Sequence, residues 1–170
     1  MNIFLHKAAA AISFEDVIKE FEQPLYWHIR RMVVDHDDAS DVLQETFIRI
    51  YKGLGTLRSR EALRGWVYKI ATNESLRHLS HKREMTLSEG SAVLLDRLES
   101  SPGVDLSDGA ALRFQKALLS LSPQQRMVFS MRYYDDLSYE EIAEVTGSTV
   151  NTLKVAYHNA KEKIKNAILA

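Results

Sequence analysis

Between residues 85 and 110 the helical spacing of apolar side chains that marks the rest of the sequence stops, and this gap limits what the chain can build. The segment carries Ser88, Gly90, Ser91, Ser100, Ser101, Pro102, Gly103, Ser107 and Gly109 among five acids and one arginine, a net charge of 1 − 5 = −4. Turn formers and charges without periodicity read as a connector. What remains is residues 14–84 and 111–170, each long enough for one small domain. Only 7 glycines and 3 prolines serve 170 residues, too few for the turns of a β-rich fold, so both domains should be helical. The chain is expected to be all-α, with two small helical domains joined by a flexible acidic linker.

The remaining composition narrows the class. With no cysteine there can be no disulfide or thiolate metal site, and a reducing cytoplasm fits. No apolar run approaches the roughly 20 residues of a membrane span, so no membrane insertion is expected. The start, Met1-Asn2-Ile3-Phe4-Leu5-His6-Lys7 and then four alanines, lacks the basic-then-apolar order of a signal peptide. Residues 1–13 read as a loose extension.

In the first domain, Ser13-Phe14-Glu15-Asp16 suggests a capping box opening a helix. Phe14, Val17, Ile18, Phe21, Leu25, Ile29 and Met32 follow at helical spacing, and Pro24 should kink or split that helix. Asp35-His36-Asp37-Asp38 starts a second helix, with acids where the helix dipole favours them. Leu43, Phe47, Ile50 and Leu54 set its buried stripe, and Gly53 and Gly55 end it. A third begins after Ser59 with Leu63, Val67 and Ile70 inward and runs to about residue 83. Asn73 is a poor helix former and could end one helix there and begin another. A bundle of three to four helices results.

The second domain should hold four helices. One covers roughly residues 111–119; Ser122-Pro123 then gives a cap and a first-turn proline for the next, reaching about residue 134. Ser138-Tyr139-Glu140-Glu141 is a capping box, with Leu137 and Ile142 placed as its hydrophobic staple. Gly147 stops that short helix, and Ser148 or Thr149 caps a last one reaching about residue 169. A short helix, a glycine turn and a longer basic helix make a helix-turn-helix. Its last helix would offer Asn151, Thr152, Lys154, Val155, His158, Asn159 and Lys161 to a DNA major groove, with Thr149 at its start. Lysines there would hold phosphates, while Asn and Thr could bond to base edges. An ordinary helical hairpin with a solvated lysine face is the bland alternative.

A net charge of −1 argues alone against a polyanion partner, but its distribution does not. Residues 58–84 carry 7 − 3 = +4 and residues 154–170 carry 4 − 1 = +3, on either side of the acidic connector. Two basic faces can bind a polyanion locally while the molecule stays near neutral.

The run from Asp41 through Gln44, Glu45, Phe47 and Arg49 to Tyr51 resembles the core-polymerase-binding helix of extracytoplasmic-function (ECF) sigma factors. Trp66-Val67-Tyr68-Lys69-Ile70-Ala71-Thr72-Asn73 is similar to their promoter-melting segment. Leu121-Ser122-Pro123 with Arg126 and Phe129, then Leu137 to Ala143, is similar to their C-terminal domain, and Asn151-Thr152-Leu153-Lys154 to their recognition helix. The resemblance spans about residues 14–84 and 111–168.

It implies a factor that binds core RNA polymerase through the clamp helices of the largest subunit and directs promoter-specific initiation. Asp41, Gln44, Glu45 and Arg49 would meet polymerase; Trp66, Lys69, Asn73, Arg77, His78, His81, Lys82 and Arg83 would engage the −10 element. Thr149, Asn151, Thr152, Lys154, Val155, His158, Asn159 and Lys161 would engage the −35 element. An anti-sigma protein is an implied further partner, and the linker would thread near the RNA exit path. Neither cofactor, metal nor catalytic residue is implied. Promoter opening needs an extracted base held by aromatic and amide groups near cations, and the −10 set supplies those types. Trp66 could equally be a buried core tryptophan, and Phe47 suits the core better than an interface. Two departures stand out: Arg77 occupies a position that is often acidic in the family, and Val155 and Ala156 replace a frequent serine and arginine. Without that arginine, and its bidentate contact to guanine, apolar contact and DNA shape would carry the −35 readout.

Two other classes compete. An autonomous helix-turn-helix regulator would need to dimerise across half-sites, and no segment suggests dimerisation. A metal-dependent enzyme could use only Asp35-His36-Asp37-Asp38 or His78 with His81. The first is better explained as a helix start, and Lys/Arg neighbours of the second would repel a cation. No phosphate-cradling glycine loop or nucleophile motif is present.

Overall fold

The computed structural model describes residues 12–85 and 109–170; most of the expected extension and linker lies outside them. The described residues form seven α-helices and one 3-10 turn. They are α1 (Phe14–Val33), α2 (His36–Gly53), a 3-10 turn (Leu54–Thr56), α3 (Leu63–Met85), α4 (Gly109–Ser120), α5 (Pro123–Tyr133), α6 (Tyr139–Thr146) and α7 (Val150–Leu169). The all-α reading holds.

Local chemistry explains most of the boundaries. Asp35 caps α2, its carboxylate accepting from the backbone N–H groups of Asp37 and Asp38. Ser122 caps α5 with Pro123 in the first turn, and Thr149 caps α7 through the Thr152 N–H. Ser138 and Glu141 complete both bonds of the capping box at α6 (3.0 and 2.7 Å). Gly147 ends α6 at φ 73°, a left-handed conformation that glycine adopts without steric cost.

Three local features expected from the sequence do not form. Ser13 is the N-cap of α1 but makes no side-chain capping bond, so no capping box forms. Pro24 lies inside an unbroken α1. Its ring is exposed on the solvent face, where water can take the freed carbonyl, while Phe21, Leu25 and Ile29 hold the helix to the core on the other side. Asn73 does not break α3 either. It is exposed on a helix anchored on both sides by buried Val67, Ala71 and Ser75, whose packing outweighs a propensity cost of about 0.5 kcal/mol.

The largest core begins between α1, α2 and α3 with Val17, Leu25, Ile29, Ile50, Leu63 and Val67. It continues without interruption into α5, α6 and α7 through Val128, Met131, Leu137, Ile142 and Leu153. A smaller cluster of Leu118, Leu121, Phe129, Ala160 and Ile164 ties α4 to α5 and α7. The halves therefore share a core, with α1 against α5 and α3 against α6.

Candidate nucleic-acid interface

The helix-turn-helix is built as its sequence dictates. Ile142, Val145 and Leu153 are buried and lock α6 onto α7. With 100° per residue, Leu153, Ala156, Ala160 and Ile164 share one face of α7. Asn151, Lys154, Val155, His158 and Lys161 occupy the opposite face, and all are exposed. Val155 is 60% exposed, an unusual position for a branched apolar side chain and a suitable one for touching a thymine methyl. Thr152 and Asn159 stand at the edge of this face. Thr149 and Thr152 are occupied locally: Thr149 accepts the Thr152 N–H, and the two hydroxyls bond at 2.8 Å. The Lys154 ammonium lies over the Tyr139 ring and that of Lys161 over the Tyr157 ring (5.8 and 4.9 Å). These aromatic supports hold two cations at the rim of the face. Sequence reasoning left out Glu162 and Lys165, which the same 100° rule places on the exposed side.

On α3 the −10 candidates divide. Lys69, Asn73, Arg77 and His81 are exposed and share one face with the half-buried Trp66. Trp66 is both core and surface: it packs against the main cluster, and its ring lies so close to Gly53 that a Cβ there would meet it at 2.9 Å. His78 and Lys82 turn elsewhere, to Asp38 at the start of α2 (3.3 Å for His78). Burial alone would raise the Asp38 pKa, but the Lys82 ammonium and the His78 imidazole outweigh it and hold it below its ordinary value. This pairing accounts for the direction His78 takes. Among the described residues no group of three or more His, Asp or Glu side chains could hold a metal ion. Arg83 lies in the last turns of α3, and its side chain is outside the described residues.

The polymerase candidates divide too. Asp41 and Gln44 border an apolar groove between α1 and α2 lined by Phe14, Ile18, Leu43, Phe47, Ile48 and Tyr51. Phe47 thus packs on the core and also lines the groove, while Tyr51 and Ile48 are exposed on it. Sequence analysis picked the polar rim and missed Ile48 as part of the floor, although their common helix face makes this legible. Glu45 and Arg49 point toward α3. Glu74, only 6% exposed, accepts from Arg77 at 2.5 Å and forms an ion pair with Arg49 at 2.5 Å, and Glu45 lies 3.4 Å from Arg49 and 3.8 Å from Arg77. A buried carboxylate needs such partners. The cluster joins one polymerase candidate pair to a −10 candidate, which the sequence reading had kept apart. Arg77 is held by Glu74, one turn earlier on the same helix.

An exposed, partly cationic recognition helix on a capped helix-turn-helix defines a DNA-binding protein of the helical class. Comparison with known proteins narrows this. The model for sigma-70 region 2 matches residues 17–84, and that for sigma-70 region 4 matches residues 111–164. The RNA polymerase sigma-H factor of Pseudomonas aeruginosa is 29% identical over 167 residues, covering 92% of this chain and 86% of its own length. The ECF RNA polymerase sigma-E factor of Escherichia coli is 31% identical over 145 residues (79% of this chain, 76% of that protein). The sigma factor RpoE of Bartonella quintana, solved with the anti-sigma factor NepR, shares the fold at TM-score 0.73 and 19% identity, with 92% and 97% coverage. CnrH, solved with the cytosolic domain of CnrY, does so at 0.64 and 18%, with 90% and 85% coverage. The chain belongs to the sigma-70 family of RNA polymerase sigma factors, in its ECF group.

Proposed function

We propose that this chain binds core RNA polymerase and directs promoter-specific transcription initiation, with residues 14–84 as the polymerase and −10 module and residues 111–170 as the −35 module. The observation that carries the reading is the ordered match of both sigma regions to a fold whose recognition face is exposed. The apolar α1–α2 groove with its Asp41 and Gln44 rim is the polymerase-docking surface, suited to the clamp helices of the largest subunit. Its apolar floor supplies affinity, and its acidic rim steers a basic partner. Lys69, Asn73, Arg77 and His81, beside Trp66, form the −10 face. Asn151, Lys154, Val155, His158 and Lys161 form the −35 face.

The factor works in the cytoplasm with promoter DNA, catalyses no reaction itself, and binds an anti-sigma protein, as its structural neighbour from Bartonella quintana does with NepR. Among the described residues no helix is long and apolar enough to cross a membrane. The autonomous-regulator reading loses ground because both halves, not the helix-turn-helix alone, match sigma regions.

Docking is tested by co-purification with core polymerase. The wild-type chain should co-elute, and Ile48→Asp with Gln44→Lys should reduce capture at least about tenfold without altering helical content. Equal capture of both proteins would remove the groove from the polymerase interface.

A further inference from the structure

A small cavity lies where α1, α3 and α5 meet, and it shares no residue with the three faces assigned above. It encloses about 160 Å³ and is walled by Met32 of α1, Leu76 and Leu79 of α3, and Pro123 and Met127 of α5. Leu76 is apolar yet 44% exposed, so the wall it forms borders solvent and gives a ligand a way in. Met32 and Met127 are unbranched thioethers that rearrange at low cost around an apolar occupant. A cavity of this size takes a ring or chain of roughly six to eight carbons.

The polar part of the wall sets the charge of that occupant. The Arg126 guanidinium lines the cavity, and burial pushes its pKa below the ordinary arginine value, with no carboxylate among the described residues to offset this. A desolvated cation without a counter-ion is costly, and an anion bound beside it would recover that cost. Arg31 lines the cavity as well. Asp135 takes one of its terminal nitrogens, but its Nε is buried and has no hydrogen-bond partner. Pro123 and Gln124 belong to the first turn of α5, which holds no acid, so the positive end of that helix is uncompensated. A planar carboxylate can accept two hydrogen bonds from a guanidinium in parallel, which a neutral hydroxyl cannot.

We propose that this cavity binds a medium-chain monocarboxylic acid, with its carboxylate on Arg126 and the Arg31 Nε and its hydrocarbon tail among Met32, Leu76, Leu79 and Met127. The site stands on these residues alone and does not depend on the sigma reading.

Calorimetric titration of the full chain with sodium octanoate tests it. The neutral probe of equal length is 1-octanol, and acetate supplies the headgroup alone. Octanoate should bind at a single site, at least about tenfold more tightly than 1-octanol, and acetate should give no heat of binding. Arg126→Gln should bring octanoate down to the level of 1-octanol and leave 1-octanol unchanged. Met127→Trp should fill the cavity and abolish both, with Leu79→Phe as a second filling variant should the first fail to fold. Equal binding of octanoate and 1-octanol, or no binding of octanoate to the wild-type chain, would overturn the proposal. So would octanoate binding that is unaffected by Arg126→Gln or that survives a folded cavity-filling variant. Transcription with core polymerase in the absence of acid reads the sigma function separately, so failure of either reading leaves the other standing.

Discussion

Tyr68 lies buried where α3 meets the second half, its ring edge-on to His28 at 5.1 Å. Burial, then the nearby Asp135 carboxylate, pushes its phenol up to about 12 from an ordinary 10.0, against the opposing pull of Arg64 and Arg31. Because the folded value is the higher one, the native state keeps this proton longer than the unfolded chain does. The associated stability is complete below pH 10 and disappears as pH rises toward 12, an effect of about 2–3 kcal/mol. Denaturant unfolding at stepped alkaline pH should show this loss in the wild type and a flatter profile in Tyr68→Phe. Identical profiles would place the alkaline sensitivity elsewhere. Two exposed residues of α7 make a second prediction. Lys154→Ala should weaken promoter binding by the holoenzyme for all sequences alike and lower the salt slope by about one. Val155→Arg should instead select guanine at one −35 position, by about 1–3 kcal/mol. Promoter binding titrated over salt and over base substitutions separates the two effects.

At the scale of elements, the turn of the helix-turn-helix offers a clean measurement. A Cβ on Gly147 would meet nothing within 4 Å, so Gly147→Ala should cost only the left-handed backbone term, about 1 kcal/mol. Ser138→Ala should cost a similar amount through the lost cap, each lowering Tm by about 2–4 °C for a chain of this size. Gly53→Ala should behave differently, because its methyl would drive into the Trp66 ring; a changed tryptophan emission would report it. These elements were legible in the sequence because their signals are local: a cap, a glycine or a proline acts within a few residues of itself. Asn73 and Pro24 misled for the complementary reason. Their local penalties are small beside the burial of Val67, Ala71, Leu25 and Ile29, which depends on partners far along the chain. The Glu45–Arg49 and Glu74–Arg77 pairs were legible separately as helix spacings, but their union across α2 and α3 was not.

At the scale of the whole molecule, His28 and Asp135 stand 107 positions apart, and no periodicity encodes such a contact. The sequence therefore specifies two helical units and their reading faces, while their mutual docking emerges only from the fold. The central claim, that this chain gives polymerase its promoter specificity, is tested most directly by in vitro transcription. Purified core polymerase would be offered a randomised promoter library with and without the protein. The account predicts transcripts that depend on the protein and share two upstream blocks, one near −35 and one near −10. No dependent transcripts, with tight and specific DNA binding by the protein alone, would contradict it.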